Sequence, residues 1–277
     1  MKLARPDVFH PRIVLAGCRA LPEGDGDDDG LVAALRRRGL HARWLAWDDP
    51  ETSSADLVIL RAARDYPERL DEFLAWAVRV PHLLNAPAVV AWNAHRRYLG
   101  DLADRGVPTV PGEVVAPGEP LRLPRTGQVF VGPAVGAGGV RCDPGSASVR
   151  ARDLHAAGRA PPLQPRPSGV ETVLVFIGGE PSHAFAGSAV AEPDFETWDL
   201  GAAALAGAAA AAGVDVGELL YARAHLSGDR LLELQLVDPS LGWRRLDAQT
   251  RDRAQRSFAL AVESACERLG LGPFSRS

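Results

Sequence analysis

Residues 1–90 alternate short apolar runs with helical segments, and this alternation constrains the fold more than any other feature of the chain. Arg12–Gly17 is an apolar run that ends at glycine, which is typical of a buried parallel strand. Residues 42–47 and 57–60 are predicted strands, and helices are predicted at 31–38 and from 67 to about 80. This β-α-β-β-α order predicts a small α/β domain built on a mainly parallel sheet.

The rest of the chain mixes strand and helix signals and predicts two further α+β regions. Residues 84–90 contain Pro87 and are interpreted as a linker, after which Asn93 is predicted to cap a helix that runs to residue 105. A proline-rich stretch before residue 170 is interpreted as a separator. Further strands are predicted at 107–110, 114–115, 128–131, 172–177, 219–226 and 230–237, and a final helix at 247–269. The predicted domains are 1–90, 91–172 and 173–277.

The basic side chains are almost all arginine. The sequence contains 31 lysine and arginine residues, and Lys2 is the single lysine among them. No internal lysine is therefore available for a Schiff base or for the phosphate-binding lysine of a P-loop. The net charge of −4 and the lack of a basic tail argue against a nucleic-acid partner. No apolar run is long enough for a membrane span, and the three isolated cysteines indicate a cytoplasmic location.

Four stretches, in order along the chain, carry a family resemblance. The first is RAARDYPER, which begins at Arg61, and the second is WNAHRRYL, which begins at Trp92. The third joins FVGPA to ETVLVFIGGEPSH, and the fourth joins YARAH to LELQLVDPSL. In their order and spacing, these stretches resemble the ATP-grasp ligases, specifically the small bacterial branch around O-ureido-serine cyclo-ligase.

The resemblance implies an α/β plus α+β architecture. A Rossmann-like pre-ATP-grasp domain would come first, and two ATP-grasp subdomains that hold a nucleotide between their sheets would follow. The resemblance also implies ATP and Mg²⁺ as cofactors, a small amino-acid-like substrate activated through an acyl-phosphate-type intermediate, and a possible homodimer. Phosphoryl transfer depends on positioning and charge stabilisation, so such a site needs cations at the phosphates and carboxylates at the metal.

The resemblance assigns a role to each candidate site residue. Arg223 takes the position of a catalytic arginine that faces the transferring phosphate. The nucleotide-binding positions correspond to Arg96, Gly132, Glu171 and Glu180. The metal-binding positions correspond to His225, Glu233, Gln235 and Asp238. The substrate positions correspond to Arg61, Arg64, Asp65 and Tyr66, of which Arg61, Asp65 and Tyr66 form a set able to hold the carboxylate and ammonium groups of an amino acid.

Three of these positions, all in the nucleotide and metal sites, lose a charge that the family pattern has. Gly132 stands where the family has a lysine, and His225 and Gln235 stand where it has an aspartate and a glutamate. Mg²⁺ prefers anionic oxygen ligands, whereas histidine favours zinc-like metals. Three functions therefore stay open: an ATP-dependent ligase, a catalytically inactive relative that binds a small ligand or a partner protein, and an enzyme of altered metal chemistry that uses His225.

Two further features are interpreted as structural. His183 follows Ser182 on a predicted strand, where adjacent side chains point to opposite faces, so the pair is not a hydrolase nucleophile. A hydrogen-bonded, partly buried histidine is favoured instead. The acidic turn at residues 25–29 is interpreted as a solvated loop, with Asp29 as the cap of the following helix.

Overall fold

Three sheets follow one another along the chain. The structure is a computed structural model, and it describes residues 9–136, 139–166 and 170–272. The first sheet is parallel, and the second and third are antiparallel. The predicted combination of an α/β region with α+β regions is therefore confirmed. Within the described ranges, no helix combines the length and the apolar character that a membrane crossing requires.

The first sheet has four strands in the order β2-β1-β3-β4. These strands are β1 (Arg12–Gly17), β2 (His41–Ala46), β3 (Leu57–Ala62) and β4 (Leu83–Leu84). Helix α1 (Leu31–Arg36) connects β1 to β2, and helix α2 (Leu70–Ala77) connects β3 to β4. Every residue of β3 is buried, as expected for a parallel strand covered on both faces.

Two short helices follow the first sheet, at α3 (Pro87–Asn93) and α4 (Tyr98–Asp104). The predicted linker at 84–90 is therefore wrong, because Pro87 is the first residue of a helix, where its missing N–H is no loss. The prediction that Asn93 caps a helix is also wrong. Asn93 is the last residue of α3, and its side chain bonds to a distant strand instead of to its own helix.

The second sheet has the strand order β5-β8-β6-β7. Its strands are β5 (Glu113–Val114), β6 (Gln128–Val131), β7 (Val140–Cys142) and β8 (Pro162–Arg166), and helix α5 (Pro144–Ala156) packs against it. The proline-rich stretch thus forms a strand as well as a connection. Pro165 is tolerated because β5 reaches only Pro162 and Leu163, which leaves Pro165 with one neighbouring strand.

The third sheet has five strands in the order β11-β10-β9-β12-β13. They are β9 (Glu171–Ile177), β10 (Glu180–Ala186), β11 (Ala189–Ala191), β12 (Tyr221–Ser227) and β13 (Arg230–Gln235). β12 and β13 form the predicted hairpin. Helix α6 (Phe195–Ala212) covers one face, and helix α7 (Ala248–Arg268) packs between the other face and the first sheet. This arrangement brings the first and third sheets into one continuous core.

The acidic turn at residues 25–29 is largely buried, so its interpretation as a solvated loop is wrong. Asp27 accepts hydrogen bonds from the backbone N–H groups of Gly242 and Arg244, at 2.9 and 3.1 Å. Asp28 is 4 % exposed. Asp29 does not cap α1, because the residue before that helix is Gly30, whose φ of 91° lies in the left-handed region that favours glycine. The turn therefore ties the first sheet to the loop that follows β13.

Candidate functional site

A pocket lies where β13 meets the turns that follow β3 and α3. Its empty volume is about 330 Å³, including the space that is open to solvent. Tyr66, Arg96, Glu233, Gln235 and Asp238 line it. The structure thus brings together members of the substrate, nucleotide and metal groups that the sequence predicts, although these residues come from distant regions of the chain.

Buried side chains from α3 and α4 fix the wall of this pocket. The side chain of Asn93 donates to the backbone oxygen of Leu234 at 2.9 Å and accepts from the backbone N–H of Leu236 at 2.7 Å. The hydroxyl oxygen of Tyr98 accepts from the backbone N–H of Leu234 at 3.0 Å. Because β13 is an edge strand with free backbone groups on this side, these bonds replace a neighbouring strand.

Arg96 and Glu233 form an ion pair inside the pocket. The Nη2 atom of Arg96 lies 2.6 Å from Oε1 of Glu233, and the two side chains are 5 % and 13 % exposed. Ion pairs at such depth interact more strongly than surface pairs because little water screens them, and breaking one partner leaves the other unpaired. The pair joins the turn between α3 and α4 to β13.

Glu171 binds His225 beside this pair. The Nε2 atom of His225 lies 2.8 Å from Oε2 of Glu171, and Arg141 of β7 forms an ion pair with the same carboxylate. Burial lowers the pKa of His225, although the nearby carboxylates oppose that shift. His225 lies opposite Glu233 in the β12–β13 register. Its imidazole is therefore neutral at neutral pH and is engaged by Glu171.

Arg166 is a residue that the sequence analysis missed. Its guanidinium carbon lies 4.9 Å from the ring centre of Phe130, and that of Arg96 lies 4.6 Å from the same centre. Burial lowers the pKa of Arg166, whose surroundings also include the charges of Glu171 and Glu233. Arg166 lies at the end of the proline-rich stretch, which is interpreted as a separator, so no role is expected of it from the sequence. Residues two positions apart on a strand share a face, and Gln164 and Arg166 have this spacing on β8.

Asp238 and Arg64 face each other at the other end of the pocket. The Nη1 atom of Arg64 lies 3.9 Å from Oδ2 of Asp238, and its Nη2 donates to Asp25 at 2.7 Å. Burial raises the pKa of Asp238 to about 7. Tyr66 lines the pocket beside Asp238, and burial raises the pKa of its hydroxyl too. Of the four predicted substrate residues, Tyr66 lines the pocket, and Arg64 contacts its Asp238 from outside the lining.

The other two predicted substrate residues have partners within the chain. The side chain of Arg61 is fully buried, and its Nη2 lies 2.8 Å from Oδ1 of Asp28. Asp65 accepts from the indole Nε1 of Trp47 at 2.8 Å and pairs with Arg69 at 3.3 Å. Neither residue lines the pocket described above. Arg61 and Asp65 are thus engaged by other side chains of this protein, outside the pocket lining.

Three further predicted site residues, Arg223, Gly132 and Glu180, lie outside the pocket lining. Arg223 lies opposite Gln235 in the β12–β13 register and is half-buried, within reach of the charge of Glu233. Gly132 follows β6 and supplies no charge. Glu180 is exposed at the start of β10, three strands away from β13, and the structure does not bring it to the pocket. Within the described ranges, no cluster of three or more histidine, cysteine or acidic side chains is placed to hold a metal ion.

His183 is a hydrogen-bonded, buried histidine, as predicted. Its Nδ1 lies 2.9 Å from the Ser182 hydroxyl, and its Nε2 lies 2.7 Å from the backbone oxygen of Leu241. An Nε2–H donor and an Nδ1 acceptor satisfy both contacts, and only the neutral ring has this pattern. Burial lowers the pKa of His183 accordingly.

This geometry predicts that acid destabilises the protein at His183. Because the folded-state pKa lies below the unfolded value, the stabilisation is present above pH 6.5 or so and is lost as the pH falls through the folded pKa. We expect the free energy of unfolding, measured by urea titration, to fall less between pH 7.5 and 5 in His183→Gln than in the wild type. His41→Gln, at an exposed strand position, is the control and should keep the wild-type fall. An unchanged pH dependence in His183→Gln would contradict the prediction.

Comparison with known proteins identifies the fold and the family. A family model described as "D-cycloserine synthetase DcsG, N-terminal domain" matches residues 13–85. The cycloserine biosynthesis protein DcsG of Streptomyces lavendulae is 31 % identical, over 78 % of this chain and 88 % of that protein. The crystal structure of D-cycloserine synthetase DcsG superposes with a TM-score of 0.76 at 27 % identity, covering 93 % of this chain and 99 % of that one.

More distant structures share the fold. The D-alanine–D-alanine ligase of Bacillus anthracis, solved with ATP, has a TM-score of 0.68 at 12 % identity, covering 94 % of this chain and 98 % of that one. The ATP-grasp ligase PsnB, solved with Mg and ADP, has a TM-score of 0.58 at 17 % identity, covering 93 % and 99 %. The expected family is confirmed: this chain belongs to the DcsG family, and its fold is that of the ATP-grasp ligases.

Proposed function

We propose that this protein is an ATP-dependent ligase or cyclo-ligase that activates a small amino-acid-like substrate. The observation that carries the proposal is the pocket itself. Its lining combines the cation of Arg96, the carboxylates of Glu233 and Asp238, and the hydroxyl of Tyr66. Family membership supports the reaction class, and the role of the relative DcsG in cycloserine biosynthesis supports a substrate derived from an amino acid.

The residues on the phosphate side fit a nucleotide. Arg96 and Arg166 lie against Phe130, and nitrogen atoms of both side chains are buried without a hydrogen-bond partner among the described residues. Guanidinium groups bind phosphate oxygens through charge-assisted, often bidentate, hydrogen bonds. A polyphosphate would supply the acceptors that these donors lack. Arg223 would then face the phosphoryl group that is transferred.

The residues on the metal side do not fit Mg²⁺. Each carboxylate there already faces a cation of this chain, with Glu233 2.6 Å from Arg96 and Asp238 3.9 Å from Arg64. Gln235 brings an oxygen without a charge. Mg²⁺ demands near-octahedral oxygen coordination, usually from one or two carboxylates together with substrate phosphates, so a metal here would have to displace these ion pairs. The proposed reaction therefore contains no step through a metal at these side chains.

The substrate end of the pocket suits an amino acid. Asp238 lines this end together with Tyr66 and offers a carboxyl group to an ammonium. Arg64, which pairs with Asp238 from outside the pocket lining, is proposed to offer its guanidinium to a carboxylate. Arg61 and Asp65 lie outside the pocket lining, where they contact Asp28 and Trp47. The proposed role of these two residues is to position the pocket wall, which replaces their predicted role as direct substrate ligands.

The proposed chemistry has two steps. In the first step, the terminal phosphoryl group of ATP moves to a carboxylate or comparable oxygen of the substrate, and ADP leaves. In the second step, an amine nitrogen attacks the activated carbon and loses a proton, and phosphate leaves. Preorganised cations lower the barrier of the first step because charge on the phosphoryl oxygens is redistributed in the transition state. Arg223 is the side chain proposed for that role.

The organisation of the chain also belongs to the proposal. The division into 1–90, 91–172 and 173–277 assigns a single sheet to each domain, with the first residues of β9 at the second boundary. A cytoplasmic location would give the enzyme access to ATP. We also propose that the protein forms the homodimer that the family resemblance implies. Analytical ultracentrifugation of the purified protein tests this proposal.

Release of ADP in the presence of candidate substrates tests the function. Purified protein would be incubated with ATP and a panel of small amino acids in both enantiomeric forms, with ADP measured by a coupled assay and products by mass spectrometry. We expect one amino acid to stimulate ADP release and to form a condensed or cyclised product. Nucleotide binding without any stimulated turnover would favour the inactive relative, and the absence of nucleotide binding would overturn the proposal.

A further inference from the structure

A cluster of arginines lies between the second and third sheets, and it contains more guanidinium groups than one phosphate contact needs. Arg96 follows α3 and Arg166 ends β8, and the two residues are 7 % and 9 % exposed. Nε of Arg96, and Nε and Nη1 of Arg166, are buried without a hydrogen-bond partner among the described residues. Buried donors of a charged group are costly to leave unpaired, so these atoms point to an anionic ligand.

The charge balance of the cluster points the same way. Four guanidinium groups act on one another or on the same acids here, and they are opposed by three carboxylates. The cations belong to Arg96, Arg141, Arg166 and Arg223, and the carboxylates to Glu171, Glu233 and Asp27, the last of which acts on Arg223. The space between the two sheets therefore has a net positive charge before any ligand enters.

We infer that a nucleoside polyphosphate binds the guanidinium groups of Arg96 and Arg166 directly, and that its affinity for this protein does not depend on Mg²⁺. This inference rests on the proposed function. Arginine can take over the charge of the metal because its guanidinium is always protonated and offers several donors in a fixed plane. Phe130 holds two of these planes in place, with both guanidinium carbons within 5 Å of its ring centre.

Calorimetric titration of the wild-type protein tests the inference without any substitution. ATP would be titrated in excess EDTA and, separately, in excess MgCl₂. We expect the two dissociation constants to differ by less than about tenfold. ATP binding that is lost or weakened by more than about tenfold in EDTA would overturn the inference and leave the proposed function standing. No ATP binding in either buffer would overturn both.

Competition and substitution identify the groups that bind. In EDTA, inorganic tripolyphosphate should displace ATP and adenosine should not; the reverse result would contradict phosphate recognition. Arg166→Gln should weaken ATP binding in EDTA by roughly 10- to 100-fold, because it removes hydrogen bonds between charged groups. Arg159→Gln is the matched control, since Arg159 is exposed on the connection before β8. Thermal unfolding checks that both variants fold, and equal affinity in Arg166→Gln and Arg159→Gln would overturn the assignment of Arg166.

Discussion

Replacing Asp28 with alanine is expected to lower the free energy of unfolding by about 3–5 kcal/mol, because it leaves a buried arginine without its counter-charge. The side chains of Arg61 and Asp28 are 0 % and 1 % exposed, and their closest atoms are 2.8 Å apart. The rings of Tyr221 and Trp243 enclose the guanidinium, with centres 5.2 and 5.7 Å from its central carbon. Water therefore cannot replace the lost carboxylate.

Urea unfolding of Asp28→Ala measures this effect, and two further variants make it specific. Asp29→Asn changes the next residue, which is exposed, and should stay within about 0.5 kcal/mol of the wild type. The double variant Arg61→Met with Asp28→Leu removes both charges and should recover much of the loss, since apolar replacement of a buried pair is often neutral. A loss below about 1 kcal/mol in Asp28→Ala would contradict the buried ion pair.

Strands were predictable from apolar runs and, for β12 and β13, from the turn signal between them. Arg12–Gly17 and residues 128–131 are predicted with the bounds that the structure has, because such runs need burial on both faces. The strand predicted at 107–110 is wrong, since Thr109 forms only an isolated bridge there. Helix α5 is missed, since few of its side chains are apolar and its packing depends on the small residues Ala147 and Ala151. Its stability comes from tertiary contact, which a local pattern does not contain.

The pocket was predictable by family resemblance, but the partners of its residues were not. Tyr66, Glu233 and Asp238 are expected at one site, and they line one pocket. The pairing of Arg61 with Asp28, 33 positions apart, has no signature in spacing or composition. A long-range ion pair depends on the tertiary fold that brings its two residues together. For this reason the sequence favours both a solvated acidic turn and a substrate role for Arg61.

Replacing Arg223 with glutamine is expected to reduce kcat by roughly 100- to 1,000-fold once a substrate is found, a loss typical of removing one preorganised charge-stabilising group. Arg223 lies opposite Gln235 on β12, on the strand pair that contributes Glu233 to the pocket. Its charge is proposed to act on the transferring phosphoryl group. An interaction that strengthens in the transition state lowers kcat when it is removed and changes ground-state binding much less.

Steady-state turnover and ATP titration, measured on the same preparations, separate this role from a structural one. Arg223→Lys keeps the charge without the planar fork and should recover a fraction of the lost kcat. Arg253→Gln, at an exposed position of α7, should match the wild type in both measurements. If Arg223→Gln lost ATP affinity and kcat in equal proportion, or lost thermal stability, the side chain would serve the ground state or the fold. Wild-type turnover in Arg223→Gln would remove Arg223 from the proposed chemistry, because a charge that acts on the transition state cannot be dispensable there.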